Sequence, residues 1–444
     1  MGVSNSENQS SYFSHKEVKD SMNLSREDII SMAFKFHASG KLIEAIKYYQ
    51  YFIDQGFSDP RVFSNYGVIC QQKDQTELAV KLYRKSITLF PDKPEAYYNL
   101  ASVLRELGHS KEPERLVRKS IQIKPEFAEA HSLLGNIFKD LGRIEDAKLS
   151  WIKAIKLDPK LKKTIFVLSQ QLFYETNYEL AIKYLDGIYF GRCQSLYLSC
   201  LLSLDRENDF HQKVLELSKK KLCNAEIGGV IEHANIIYKK KNFSPFCNES
   251  MKYVMLDKIS EDMFSEHHFQ QLIDYIKSEK IFMRSQGILN HGVQTSGNLF
   301  KLEYPFIKSI KKALMRKIDL YRLKYKDSKQ GFIENWPKDY ELRSWMISMK
   351  NGGFLKQHNH EYGWITGSFY LQVPQSFNDD GGSIAFSYQG PQYPVKDKLF
   401  NLTIKKLEVR DICIFPSSLF HQTIPFESDI ERICFVFDLV QIGN

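Results

Sequence analysis

His131-Ser132-Leu133-Leu134-Gly135-Asn136-Ile137-Phe138, followed by Ala147, Trp151, Ala154 and a closing Pro159, is the stretch that decides how the first half of the chain folds. Its large and small residues recur at helical spacing, so one helix packs closely into the next. A shift of 34 residues brings Pro91, Pro125 and Pro159 into register, with Phe57 at the same phase ahead of them. The preceding block offers Tyr97, Leu100, Ala101, Leu104 and Gly108, and the one before that Phe63, Tyr66, Gly67, Ala79, Tyr83 and Pro91. An earlier block gives Met32, Ala33, Phe36, Gly40, Ala45 and Tyr49. A later one gives Ile165, Leu168, Ser169, Leu172, Ala181 and Leu185, without the proline. Small residues let the two helices of a hairpin approach, aromatics fill the space between hairpins, and proline ends the second helix where the chain turns.

These blocks resemble the tetratricopeptide repeat, with five consecutive matches between about 25 and 196. The resemblance implies an α-solenoid whose concave face takes a protein or peptide partner. Leu201, Leu202, Leu204, Val214, Leu215, Leu217 and Leu222 continue the helical pattern as degenerate, capping repeats, giving a solenoid over 25–245. Pro113 falls where the repeat wants a small helix residue, and is expected to shorten or kink that helix. Tyr48, Tyr49, Tyr83, Tyr97 and Tyr98 are read as packing between repeats rather than as ligand contacts.

The composition of the 444 residues, 43% apolar and 26% charged with 14 prolines, excludes a collagenous or largely disordered chain. No stretch approaches the roughly 18 uninterrupted apolar residues of a membrane span, and the first residues lack the blocks of a secretory signal. A cytoplasmic protein is expected. The seven cysteines form no C-x-x-C pair, so neither a disulfide framework nor a zinc knuckle is suggested. A net charge of +8 is modest for this length, and Lys219-Lys220-Lys221 and Lys239-Lys240-Lys241 read as solvated helix ends, so no nucleic-acid partner is expected. Gly2 with Ser6 fits the myristoylation pattern, but no polybasic stretch follows in the Ser/Asn-rich tail over 1–24, which reads as flexible.

After Asn242-Phe243-Ser244-Pro245 the repeat can no longer be followed, and a domain boundary near 245 is inferred. Helical segments over 266–277 and 306–324 flank a polar loop over 290–298. Short strands follow: 341–350, a Gly352-Gly353 turn, 354–360, 364–373, a Gly381-Gly382 turn into 383–388, then 402–409, 412–416 and 433–440. Many glycine-punctuated strands with helices ahead of them argue for a β-sandwich or jelly-roll barrel over 246–444, carrying a helical layer.

The chemistry concentrates in Phe354-Leu355-Lys356-Gln357-His358-Asn359-His360. On a strand, residues i and i+2 share a face, so His358 and His360 present two imidazoles to one point. A third, His421, ends Phe415-Pro416-Ser417-Ser418-Leu419-Phe420-His421, directly after an apolar strand, where a jelly roll brings it across the barrel to the first pair. Arg432 opens the final strand. Imidazoles suit iron, zinc, copper or nickel, and three ligands on one face leave positions for substrate and dioxygen.

His-x-His after a Gly-Gly turn, Gly367-Ser368-Phe369-Tyr370-Leu371, Phe-Pro-Ser-Ser-x-x-His and Arg432, in that order, resemble the 2-oxoglutarate- and Fe(II)-dependent oxygenases. The resemblance covers roughly 250–444 and is nearest the branch often joined to tetratricopeptide repeats. It implies a double-stranded β-helix and a hydroxylase, with Fe(II) as metal and 2-oxoglutarate as co-substrate. It makes His358 and His421 iron ligands, and sets His360 where most members carry an aspartate or glutamate. That exchange leaves the site one unit more positive without abolishing chelation. Glu361 points to the opposite strand face and Asp411 forms a turn, so neither replaces the carboxylate. By resemblance Arg432 holds the distal carboxylate of 2-oxoglutarate with the help of Tyr370. Gln294, Thr295 and Asn298 are candidates for the substrate pocket. Two rivals stay open: a three-histidine, cupin-like iron dioxygenase using no keto acid, and a catalytically silent interaction protein whose jelly roll is structural.

Overall fold

A computed structural model describes residues 24–73, 75–109, 111–278, 283–375, 380–395 and 400–442. Gly2 and nearly all of the expected tail lie outside the described residues. By packing the chain divides into two compact units, Met1–Thr164 and Ile165–Asn444.

The first unit is a run of helical hairpins: α1 (Arg26–Ala38) with α2 (Leu42–Asp54), α3 (Pro60–Gln72) with α4 (Thr76–Leu89), α5 (Pro94–Glu106) with α6 (Lys111–Ile123), and α7 (Ala128–Asp140) with α8 (Ile144–Leu157). Ser25 starts α1 with a capping box, its hydroxyl accepting from the amide of Asp28 while the Asp28 carboxylate accepts from the amide of Ser25. Pro60 and Pro94 open their helices, where a missing N–H costs nothing. The small-against-large rule can be measured at Gly135, where a methyl group would lie 2.4 Å from the Trp151 ring. The same holds at Gly67, 2.4 Å from Tyr83. Tyr49, Tyr83 and Tyr97 are buried, and Tyr48 and Tyr98 lie against Phe36 and Phe127, so these tyrosines pack. Pro113 neither shortens nor kinks α6. The helix starts at Lys111, so the proline sits in the first turn, where no intrahelical bond is lost.

The second unit begins within α9 (Lys162–Tyr174) and continues through α10 (Tyr178–Leu185), α11 (Gly191–Ser203), α12 (Glu207–Lys219) and α13 (Ala225–Ile237). The sequence texture changes near 245, yet the packing division falls at 164/165, because these last helices are built onto the strands that follow. Gly228 and Gly229 let α13 sit directly on them: a methyl group on Gly229 would lie 3.0 Å from both the Asn359 amide nitrogen and the Ser418 carbonyl. The His233 ring accepts from the Gly390 amide at 3.1 Å and donates to the Pro394 carbonyl at 3.0 Å.

The strands are β1 (Met255–Lys258), β2 (Met283–Arg284), β3 (Leu289–Thr295), β4 (Tyr340–Leu355), β5 (Ile365–Gln372), β6 (Ile384–Ser387), β7 (Thr403–Lys405), β8 (Asp411–Pro416), β9 (Phe420–Thr423) and β10 (Arg432–Gln441). They form a 7-stranded sheet, β1-β8-β5-β10-β4-β3-β2, and a 3-stranded sheet, β7-β6-β9, all antiparallel. This is the expected double-stranded β-helix. Helices α14 (Glu266–Lys277), α15 (Pro305–Lys324) and α16 (Gly331–Glu334) cover the outer face of the large sheet.

The strand β10 shows how the layers are sorted. Ile433, Phe435, Phe437 and Leu439 enter the core under the helices, whereas Arg432, Cys434, Val436 and Asp438 face the cavity between the sheets. Period-two alternation does this on a strand buried on both sides. Three local expectations fail. The polar loop over 290–298 is largely strand β3, whose backbone groups pair with β4 despite the polar side chains. Gly352-Gly353 is not a reversal. The strand β4 runs through it, Gly352 takes φ +72°, and the register against β3 shifts there, so the pair absorbs a bulge. The strand expected over 402–409 is confined to β7.

Candidate metal centre

The three histidines converge. One ring nitrogen from each of His358, His360 and His421 lies within 4.8 Å of the others, and the ring centroids are 4.4–5.2 Å apart. The clamp is made differently from a plain strand pair. His358 forms an isolated antiparallel bridge with His421, each backbone amide donating to the other's carbonyl at 3.0 and 2.9 Å. His360 lies just beyond, its amide donating to the Ser417 carbonyl at 3.2 Å.

On every ring Nδ1 is already engaged. His358 Nδ1 donates to the Lys356 carbonyl at 2.8 Å, and His421 Nδ1 to the Leu419 carbonyl at 3.3 Å. His360 Nδ1 donates to the Asp438 carboxylate at 2.7 Å. Carbonyls and carboxylates only accept, so each Nδ1 carries a proton and Nε2 is the nitrogen of each ring left to ligate. Burial, then the neighbouring rings, pushes the His358 imidazole down to about 3 and that of His421 well below the ordinary histidine range. Both are therefore neutral, as ligation requires. This donor set fits a divalent transition metal: three imidazole nitrogens, each ring oriented by a hydrogen bond on its far side.

Asp438 is the residue that sequence reasoning missed. Its Oδ1 also accepts from the Thr366 hydroxyl at 2.7 Å, and Thr366 in turn lies 2.7 Å from the Ser417 hydroxyl. A negative charge thus stands one hydrogen bond behind His360. The signal was present, since Asp438 shares a strand face with Arg432 in the closing strand. Glu361 turns away to Arg192 on α11, and the Asp411 carboxylate accepts from the Glu408 amide at 2.7 Å, closing a turn.

The imidazoles, Arg432 and Tyr370 line one cavity of about 490 Å³ between the sheets. The Arg432 side chain is nearly all buried, with 2% of the residue exposed. Its Nε donates to the Gly382 carbonyl at 2.8 Å, its Nη1 faces Cys434 Sγ at 3.5 Å, and the guanidinium stands 5.0 Å from the centre of the Tyr370 ring. Among the described residues no carboxylate pairs with it. Tyr370 is fully buried, and among the described residues its hydroxyl makes no hydrogen bond of good geometry, although the Ser368 side chain stands beside it. Burial raises that phenol well above its usual range, with Arg432 opposing, so it stays protonated and available to donate. A buried guanidinium without a counter-ion beside an orphaned hydroxyl suits a carboxylate-bearing ligand.

Of the residues considered for the substrate pocket, Gln294 and Thr295 reach this cavity. The Thr295 hydroxyl already accepts from the Met346 amide at 3.0 Å. Asn298 does not line it. Its amide caps the turn at Leu299–Lys301 and bonds the backbone of Leu342 and Ser344, which is a structural use.

The comparisons with known proteins agree with this layout. Residues 343–438 match the family described as "Putative 2OG-Fe(II) oxygenase". Residues 60–93 and 128–161 match one tetratricopeptide-repeat family and 82–112 another. One chain thus matches tetratricopeptide-repeat families within 60–161 and the "Putative 2OG-Fe(II) oxygenase" family over 343–438. Such repeats point to protein–protein interaction. No curated protein matches the chain. Similar solved structures include pilF of Pseudomonas aeruginosa (18% identity, 44% of this chain and 90% of that one, TM-score 0.39). Another is a MamA fragment of Desulfovibrio magneticus RS-1 (20% identity, 37% and 93%, TM-score 0.33). A third is a tetratricopeptide repeat protein of Parabacteroides merdae ATCC 43184 (13% identity, 48% and 87%, TM-score 0.38). Likeness at these scores adds nothing about function. Among the described residues no helix is long and apolar enough to cross a membrane.

Proposed function

We propose that the chain is a 2-oxoglutarate- and Fe(II)-dependent oxygenase that hydroxylates its substrate. His358, His360 and His421 would hold the iron, and Arg432 with Tyr370 would grip the far carboxylate of 2-oxoglutarate. One observation carries the reading: a guanidinium buried in the cavity of the three imidazoles, with no carboxylate of the described residues to pair with it. Desolvating such a charge costs several kcal/mol, and an anionic co-substrate offsets that cost. When bound, iron and keto acid together supply the oxidation of a substrate C–H bond by dioxygen, with succinate and carbon dioxide as co-products.

The chain's own contribution is positioning. Asp438 orients the His360 ring and lowers the net charge of the centre, the Lys356 and Leu419 carbonyls orient the other two rings, and the sheets enclose the cavity. Gln294 and Thr295 are the pocket residues best placed to meet a substrate. The repeats would recruit a protein or peptide through their concave face. None of the seven cysteines is in a disulfide, as suits the reducing cytoplasm where we place the protein.

The rival dioxygenase that uses no keto acid is favoured by the third histidine, and calorimetry separates the two. With Mn(II) in place of iron, 2-oxoglutarate should bind the wild-type protein and bind Arg432→Ala roughly 10- to 100-fold more weakly, the loss expected for a buried charge-assisted contact. Equal affinity in the two proteins would remove Arg432 from the reading. No binding to either would favour the rival.

A further inference from the structure

A second cavity, of about 280 Å³, lies against the mouth of the metal cavity and shares His358, Asn359 and Glu361 with it. Its opposite wall is helical. Phe166, Gln170, Phe173 and Tyr174 of α9 stand at i, i+4, i+7 and i+8, and Arg192, Ser195, Leu196 and Ser199 of α11 at i, i+3, i+4 and i+7. Each set is therefore one helix face. Glu226 adds the start of α13. α9 and α11 each open a helical pair, with α10 and α12, and α13 follows them; stacked hairpins present such helices as an extended binding surface.

The lining suits a polypeptide. Phe166 and Phe173 give an apolar floor, and Tyr174 stands 65% exposed at its edge. The side-chain amides of Gln170 and Asn359 have no hydrogen-bond partner among the described residues, and amides of this kind pair with an extended backbone. Arg192 lies over the Phe166 ring at 4.3 Å and the Tyr362 ring at 4.8 Å, and pairs with both Glu226 and Glu361. Two carboxyl groups face one guanidinium. Burial, against the pull of Arg192, raises Glu226 to about 7, so above that pH the cleft has an excess negative charge and favours a basic group over an acidic one.

We infer that this cleft holds an extended polypeptide carrying a basic residue, laid across α9, α11 and α13 so that a neighbouring residue enters the cavity of His358, His360 and His421. The inference rests on the oxygenase reading only for what then happens to that residue. It makes the last hairpins part of the active-site mouth. The proteins or peptides proposed for the repeats include, on this view, the substrate itself.

The test uses the full chain without iron and a phage-displayed library of random 12-residue peptides, at a pH above the value of about 7 to which Glu226 is raised. Selected sequences should be enriched in Lys or Arg. Synthetic copies should bind the wild-type protein at least tenfold more tightly than a Gln170→Ala/Tyr174→Ala double variant whose unfolding midpoint is unchanged. Mn(II) added to the protein should broaden the NMR signals of the bound peptide, and of one residue most. Failure to select any sequence, equal binding to the variant, or no paramagnetic broadening overturns the inference. Binding is read without turnover, so peptides seated in the cleft of a protein that makes no succinate would sink the oxygenase reading and leave this one standing.

Discussion

At the scale of single residues, the centre depends on a substitution and its compensation. His360 brings a neutral ring where a carboxylate is usual for the family it resembles, and Asp438 supplies the charge from behind at 2.7 Å. Asp438→Asn keeps an acceptor for His360 Nδ1 and removes only the charge. It should weaken Fe(II) affinity about 10- to 100-fold with little change in thermal stability, as measured by chelator competition and by Tm. Affinity equal to wild type would show that Asp438 is a packing residue. The three histidines and Arg432 stand out in the sequence by residue type and order, and the fold brings them to one cavity. Asp438 was harder to see. An aspartate on a closing strand has a meaning only once the face it shares with Arg432 is known to look into a cavity.

Among the elements, the repeats were the easiest to read and the edges of the jelly roll the hardest. Pro91, Pro125 and Pro159 fix a phase, and Gly135 against Trp151 shows why small and large positions alternate. Gly135→Ala would press a methyl group into the Trp151 ring, 2.4 Å away, and should destabilise the first unit by about 1–3 kcal/mol, seen as a lowered urea midpoint. A neutral outcome would mean that Trp151 moves freely. By contrast, β3 is polar and Gly352-Gly353 looks like a turn, so only long-range pairing with β4 reveals the strand. Pro113 was misread because repeat phase does not fix where a helix begins.

The helix α13 also carries two titrating neighbours of opposite sign. Burial, opposed by hydrogen bonds from Ser250, raises Glu232 to about 7, so the folded protein holds that proton longer than the unfolded chain does. Its contribution is full below the ordinary carboxylate range, near 4.5, and is lost as pH rises to about 7. Burial lowers His233 to about 4, so its contribution is full above 6.5 and is lost as pH falls toward 4. The two slopes oppose each other between about 4.5 and 6.5. Relative to wild type, Glu232→Gln should tilt the stability profile toward loss on acidification and His233→Gln toward gain, each followed by urea midpoints from pH 7 to 4.5. Identical profiles in the two variants would contradict the assignment.

For the whole molecule, the change of sequence texture near 245 and the division of packing at 164/165 are both real and describe different things. Composition records where helices give way to strands. Packing records that α13 is seated on the strands through Gly228 and Gly229, a long-range contact that no periodicity announces. The same seating puts a helical wall beside the metal cavity, so recruitment and chemistry need not belong to separate parts of the chain.

The central claim is that three imidazoles, backed by Asp438 and flanked by Arg432, form a working site for iron and 2-oxoglutarate. Succinate formed from 2-oxoglutarate by the full chain with Fe(II), ascorbate and oxygen tests it most directly, set against a His358→Ala/His421→Ala double variant. The account predicts turnover in the first and none above background in the second. Equal succinate from both proteins, or none from either when the wild-type chain holds one iron per molecule, would contradict it.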